Sequence, residues 1–160
     1  MAEPKVCVSL EAITVEEMID EATRANIAGA DYVEVRFDKL YLNKPEPLTM
    51  VNDDGEEYTK MPPVEDWGVK DFSEIDVEKS IENLKEGIPV PVIFTIRSVR
   101  EGGFFSGTEE QRLEILKLGI KSQVTFVDLE LSIDKKSREK LMKVAKESNC
   151  KVIASIHETK

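Results

Sequence analysis

The feature that most constrains this chain is an alternation. Five short apolar runs, at residues 5–10, 31–37, 91–97, 125–131 and 151–157, are separated by stretches whose hydrophobic residues recur with a helical period. The runs are rich in Val, Ile and Phe and have the length of strands. Residues 14–28 place Val15, Met18, Ile19, Ala22 and Ala25 on one stripe, and Thr14 with Glu17 reads as a capping box. A second helix starts near Asp76, with Val77, Ile81 and Leu84 on its apolar side. A third starts at Thr108, where Gln111 completes another box ahead of Leu113, Leu116 and Ile120. A fourth covers 135–147 behind Asp134, with Leu141, Met142, Val144 and Ala145 facing inward. Gly29 and Gly87 stand where helix-stop residues belong, after the first two helices. Strand–helix–strand repetition of this kind predicts an α/β fold, with parallel strands joined by right-handed crossovers and helices laid on the sheet.

The 160 residues are enough for one sizeable core and read as a single domain over 1–160. One segment breaks the rhythm. Residues 41–75 make a 35-residue connection where a βα loop usually takes about 2–6. Within it, residues 49–51 and 57–61 flank Asp53-Asp54-Gly55, a hairpin signature, and Pro45, Pro47, Pro62 and Pro63 bracket that hairpin. The insertion follows the carboxyl end of a strand, so it is either a surface elaboration or a lid.

Side chains alternate faces along a strand, and here the alternation carries information. Val33, Val35 and Phe37 oppose Glu34, Arg36 and Asp38; Val92, Phe94 and Ile96 oppose Thr95 and Arg97. Val127, Leu129 and Leu131 oppose Asp128 and Glu130; Val152, Ala154 and Ile156 oppose Ser155 and His157. The first run follows the same rule more weakly, with Val6, Val8 and Leu10 against Cys7 and Ser9. A sheet with one wet face would give this pattern, but helical connections imply a sheet covered on both sides. A barrel wall accommodates both facts: apolar residues face the helices, and polar ones gather inside, toward the carboxyl ends of the strands. Barrel active sites are built at that end.

Charge narrows the function. The chain has 22 Lys+Arg against 32 Asp+Glu, a net charge of −10, which disfavours nucleic acid or an anionic membrane as partner. No apolar run reaches the roughly 18 residues of a membrane span, and no signal-peptide pattern opens the chain. Cys7 and Cys150 each lie in apolar stretches, unlike a disulfide framework, so a cytoplasmic protein is expected. His157, the only histidine, ends the fifth run on its polar side among carboxylates, a setting suited to proton transfer. A divalent metal held by His157, Asp128 and Glu130 is the rival reading, without HxH or HExxH spacing to support it. Residues 98–107 contain Gly102, Gly103 and Gly107, so this loop after the third strand can close over a ligand, with Glu101 near its start.

Several stretches, in order, resemble the type I 3-dehydroquinate dehydratases, Schiff-base lyases of the shikimate pathway of aromatic amino acid biosynthesis. They are Val6-Cys-Val-Ser-Leu10, Ala30-Asp-Tyr-Val-Glu-Val-Arg-Phe-Asp38, Phe94-Thr-Ile-Arg-Ser-Val-Arg-Glu-Gly-Gly103, Val127-Asp-Leu-Glu-Leu131 and Ile153-Ala-Ser-Ile-His-Glu158. The resemblance implies a TIM (β/α)8 barrel, of which these are the five amino-terminal βα units. It also implies dehydration of 3-dehydroquinate to 3-dehydroshikimate through an imine on a lysine, with no metal or organic cofactor, in a chain that is often a homodimer. By the same resemblance, His157 is the general acid and base, with Glu101 pairing to hold its orientation and charge state. Glu34, Arg36 and Arg97 grip the substrate hydroxyls, Ser9 lines the pocket, and Asp128 and Glu130 form a supporting layer.

The family's imine-forming lysine lies on the strand after the histidine strand. Lys160 is only three residues past His157 and is not given that role. A further βα unit takes about 30 residues, so the lysine is expected beyond this chain. The 160 residues are then expected to be an incomplete barrel, inactive alone. A metal-assisted barrel lyase or aldolase, and a non-catalytic barrel fragment serving as a binding module, are the competing classes.

Overall fold

The computed structural model describes residues 3–158. Its main sheet contains β1 (Cys7–Ser9), β2 (Tyr32–Arg36), β7 (Val92–Thr95), β8 (Phe126–Glu130) and β9 (Lys151–Ser155), all parallel, in the order β1-β2-β7-β8-β9. Each strand lies beside its predecessor, and the connections carry α1 (Val15–Ile27), α2 (Val77–Gly87), α3 (Glu109–Lys121) and α4 (Lys135–Glu147). A doubly wound sheet reverses its strand order at a switch point, whereas a (β/α) barrel wall runs on in sequence. This sheet runs on in sequence, and it is not closed: β1 and β9 are its two edges.

The helix starts follow the local chemistry. Thr14, Asp76, Thr108 and Asp134 each accept a hydrogen bond from the backbone three residues on. The reciprocal box forms at Thr108, where Gln111 returns a bond to the cap. Gly29 takes φ 93° just past α1, as a stop residue does. Gly87 departs from expectation. It is the last residue of α2, and a Cβ there would come within 2.5 Å of Ile19. Its smallness lets α1 and α2 approach.

The predicted faces hold in the middle of the sheet. Val33, Val35, Phe94, Ile96, Val127 and Leu129 are buried beneath the helices with Met18, Ile81, Leu116 and Leu141. Gly119 of α3 packs directly on the Phe94 ring. At the edges the prediction fails: Val6 is 55% and Ile156 70% exposed, next to β1 and β9, which have no further strand beside them among the described residues. Leu131, just past β8, is exposed too.

The segment after β2 turns through a 3-10 helix (Phe37–Tyr41) into β3 (Leu42–Asn43), which pairs antiparallel with β6 (Gly68–Val69). Between them β4 (Leu48–Val51) and β5 (Glu57–Lys60) form an exposed hairpin, turned at Gly55 with φ 83°. The base of this insertion is anchored by rings: Phe105, from the loop after β7, stacks edge-on against Tyr41 and Phe72. No helix among the described residues is long and apolar enough to cross a membrane.

Candidate active site

The second face of the sheet carries charge into the interior. Thr95, Arg97, Asp128 and Glu130 are all less than a tenth exposed. Withdrawing ions from water costs several kcal/mol each unless they are paired, and here the pairing is extensive. On β2, Glu34 accepts from the Ser9 hydroxyl of β1 at 2.5 Å and from the Thr95 hydroxyl of β7 at 2.9 Å. Arg36 donates twice to Asp38, through Nε at 3.0 Å and Nη2 at 2.8 Å. Burial works against the Arg36 charge, but the bonds and charge of Asp38, helped by Glu34, hold its pKa above the ordinary guanidinium value.

Arg97, just past β7, is the hub. Its Nη2 donates to Asp128 at 2.8 Å, and its Nη1 lies 3.2 Å from Glu130 and 2.6 Å from Nδ1 of His157. The second oxygen of Glu130 accepts from Arg112 of α3 at 2.6 Å, and Arg112 also grips Glu109 through Nε and Nη2. Burial raises the Glu130 pKa, and the neighbouring Arg112 and Arg97 guanidiniums only partly offset it. Ser155 of β9 donates to Asp128. From the loop after β7, Glu101 Oε2 stands 3.4 Å from the same Nδ1 of His157.

The eight residues singled out from the sequence therefore fall into two clusters and a bridge. Ser9 and Glu34 form one cluster; Arg97, Glu101, Asp128, Glu130 and His157 form the other; Arg36 lies between them on Asp38. Both arginines assigned to substrate hydroxyls spend their guanidiniums on protein carboxylates. His157 is placed differently from expectation: β9 ends at Ser155, and the ring lies two residues beyond with its side chain 35% exposed. It lines a polar recess with Ser98, Arg100, Glu101, Glu109, Arg112 and Ser132. Lys160, given no catalytic role, lies outside the described residues.

Four participants were not singled out: Thr95, Ser155, Asp38 and Arg112. Thr95, Ser155 and Asp38 share the polar parity of their runs. Arg112 had a subtler signal, because it falls in phase with the buried stripe of Ile115, Leu116, Gly119 and Ile120. The metal reading also shifts. Glu101, Glu130 and His157, rather than the trio with Asp128, bring ligand-type atoms within 4.8 Å of one another. Arg97 and Arg112 already engage the two Glu130 oxygens, and Arg97 also engages Nδ1 of His157, so this donor set is spent on guanidiniums rather than open to a metal ion.

A parallel sheet in sequential order, with acid, base and guanidinium groups collected at its carboxyl rim, defines the wall of an α/β barrel of the enzyme-bearing kind. Residues 6–160 match the family model of type I 3-dehydroquinase, and the chain belongs to that family. It is 31% identical over 149 residues to the 3-dehydroquinate dehydratase of Methanosarcina acetivorans, covering 92% of this chain and 50% of the relative. The enzyme of the same name from Desulfotalea psychrophila is 29% identical over 154 residues, covering 96% and 51%. The solved structure of 3-dehydroquinate dehydratase from Enterococcus faecalis superposes with a TM-score of 0.71 at 23% identity, over 100% of this chain and 56% of that one. The chain spans about half the length of the curated relatives it matches.

Proposed function

We propose that this chain supplies the acid–base half of a 3-dehydroquinate dehydratase. The reaction converts 3-dehydroquinate to 3-dehydroshikimate through a Schiff base on a lysine carried by a later strand. The observation that carries this reading is the placement of Glu101 and Arg97 on one nitrogen of the only histidine. Family membership points to the substrate, and the soluble, cofactor-free, homodimeric enzyme of the cytoplasm is the setting that fits.

The chemistry asks one group to act first as base and then as acid. Condensation of the lysine amine with the C3 ketone expels water and gives an iminium, an electron sink beside C2. A base takes the C2 proton, the electron pair moves onto the iminium, and the resulting enamine expels the C1 hydroxyl, which leaves as water with a proton. Hydrolysis of the imine returns the lysine. Nε2 has a free lone pair for the C2 proton only in the tautomer whose Nδ1–H is directed to Glu101, so Arg97, 2.6 Å from Nδ1, must release that nitrogen before the ring can act as base. Once protonated at Nε2, it can hand that proton to the departing hydroxyl. Glu34, hydrogen-bonded to Ser9 and Thr95, and Arg36 border the space where the ring hydroxyls would lie.

The test is borohydride reduction in the presence of 3-dehydroquinate, read by intact mass, together with the appearance of the conjugated product. A polypeptide that includes the lysine strand is expected to trap an adduct and to turn over. This 160-residue chain alone is expected to do neither. An adduct on this chain alone would contradict placing the lysine on a later strand, and a complete polypeptide that neither traps nor turns over would end the reading.

A further inference from the structure

Asp38 is fully buried, and its carboxylate accepts four hydrogen bonds from three parts of the chain. Oδ1 takes Nε of Arg36 at 3.0 Å and the backbone N–H of Arg97 at 3.2 Å; Oδ2 takes Nη2 of Arg36 at 2.8 Å and the backbone N–H of Phe104 at 3.1 Å. The guanidinium supplies the countercharge that a buried carboxylate needs, and the two amides fill its remaining lone pairs. Neither amide belongs to a strand or a helix. Both belong to the loop after β7, at its two ends.

That loop is folded on itself. Glu101 N and Gly103 N both donate to Ser98 O, Gly102 N donates to Val99 O, and Phe105 N and Arg97 O close the base at 3.2 Å. Gly103 sits so close to Arg97 that a Cβ would come within 2.2 Å of the Arg97 carbonyl oxygen. A loop this compact moves as a piece, so fixing its ends fixes Glu101 between them. The same carboxylate aims Arg36.

We infer that Asp38 is a positioning residue that couples the Arg36 guanidinium on β2 to the Glu101–His157 contact, by holding Arg36 and both ends of the Glu101 loop on one carboxylate. Asp38 touches neither the imidazole nor the space above it, so its influence passes through these two arms. The kinetic consequence rests on the dehydratase reading; the geometric coupling does not.

The test is Asp38→Asn in this chain, which keeps the shape but puts an NH2 where a second acceptor stood. One arm must then lose its partner. Amide exchange at Phe104 is expected to quicken about tenfold or more while Phe94 and Val127 in the sheet stay protected. The ring nitrogen signals of the single histidine are expected to move toward those of Glu101→Gln. A folded variant with both unchanged overturns the proposal. Should the variant lose its core protection, the unsubstituted chain decides: Arg36 Nε–H and Phe104 N–H are expected to open together. Opening equilibria that differ by more than tenfold overturn the coupling. In the complete enzyme Asp38→Asn is expected to lower kcat about 10²-fold and raise KM as well. If the amide and ring signals move while turnover does not, the coupling stands and the acid–base role of His157 falls instead.

Discussion

Nη1 of Arg97 lies 2.6 Å from Nδ1 of His157, and a guanidinium can only donate. Nδ1 must therefore accept, and in the neutral ring the proton sits on Nε2. Glu101, 3.4 Å from that same Nδ1, can only accept from it when ionised, so it favours the opposite tautomer. The two residues compete for one nitrogen.

A direct consequence is spectroscopic. With a single histidine in the chain, nitrogen-15 spectra of the neutral ring report one site, and they are expected to show Nε2 protonated and Nδ1 bare. Arg97→Met removes the donor, leaves Glu101 as the partner, and should move population toward the Nδ1–H form. A ring already protonated at Nδ1 beside an intact Arg97 would contradict the arrangement.

In the complete enzyme, His157→Ala should lower turnover about 10²–10⁴-fold, the usual contribution of an acid–base group, while borohydride still traps the imine. Glu101→Gln keeps the size and loses the charge, so it should also slow the elimination without abolishing trapping. Steady-state assays and trapped mass together separate these steps. Unchanged turnover in His157→Ala would remove the ring from the mechanism.

How far this could be read in advance follows from what is local and what is not. Thr108 and Gln111 meet three residues apart, so their box was legible, and the parity of Val127 against Asp128 depends only on strand geometry. Glu34, Arg97 and Glu130 share a face for the same reason. Asp38 shows the limit: its parity was plain, but the amides it holds lie 59 and 66 residues away. The openness of Val6 and Ile156 was equally illegible, since cover over a sheet edge comes from outside the strand. Arg112 could have been caught by asking why a charge falls in phase with Ile115 and Leu116.

Arg112 and Glu130 are 3% and 2% exposed, and they form a buried pair. Removing Arg112 leaves buried Glu130 with only the Arg97 contact at 3.2 Å, and breaking a buried pair in this way costs up to about 3–5 kcal/mol. Arg112→Met should therefore lower the urea midpoint sharply. The double replacement Arg112→Met with Glu130→Leu should recover part of the loss, because Arg97 keeps Asp128 and the Glu109 carboxylate, 36% exposed, can turn to water. A single variant within about 1 kcal/mol of the parent, the range of exposed pairs, would show that the bridge is solvated in solution.

The alkaline limb of stability carries a signature of two buried acids. Burial pushes the Cys150 thiol from 9.0 up to about 11 and the Tyr41 phenol from 10.0 up to about 12. Both folded values lie above the unfolded ones, so the unfolded chain gives up these protons first as pH rises. The stabilisation is fully present below the unfolded pKa of each group. It is lost through the window from 9.0 to about 11 for Cys150 and from 10.0 to about 12 for Tyr41. Shifts of this size correspond to about 2–3 kcal/mol for each group. Cys150→Ala leaves a small void and costs some stability at every pH, but it removes the ionisation. Urea stability followed from neutral pH up to 10.0, below the Tyr41 window, should fall for the parent and stay nearly level for Cys150→Ala. Only the Tyr41 slope should remain above it. Parallel slopes in the two proteins would mean that the Cys150 thiol is not held neutral by its surroundings.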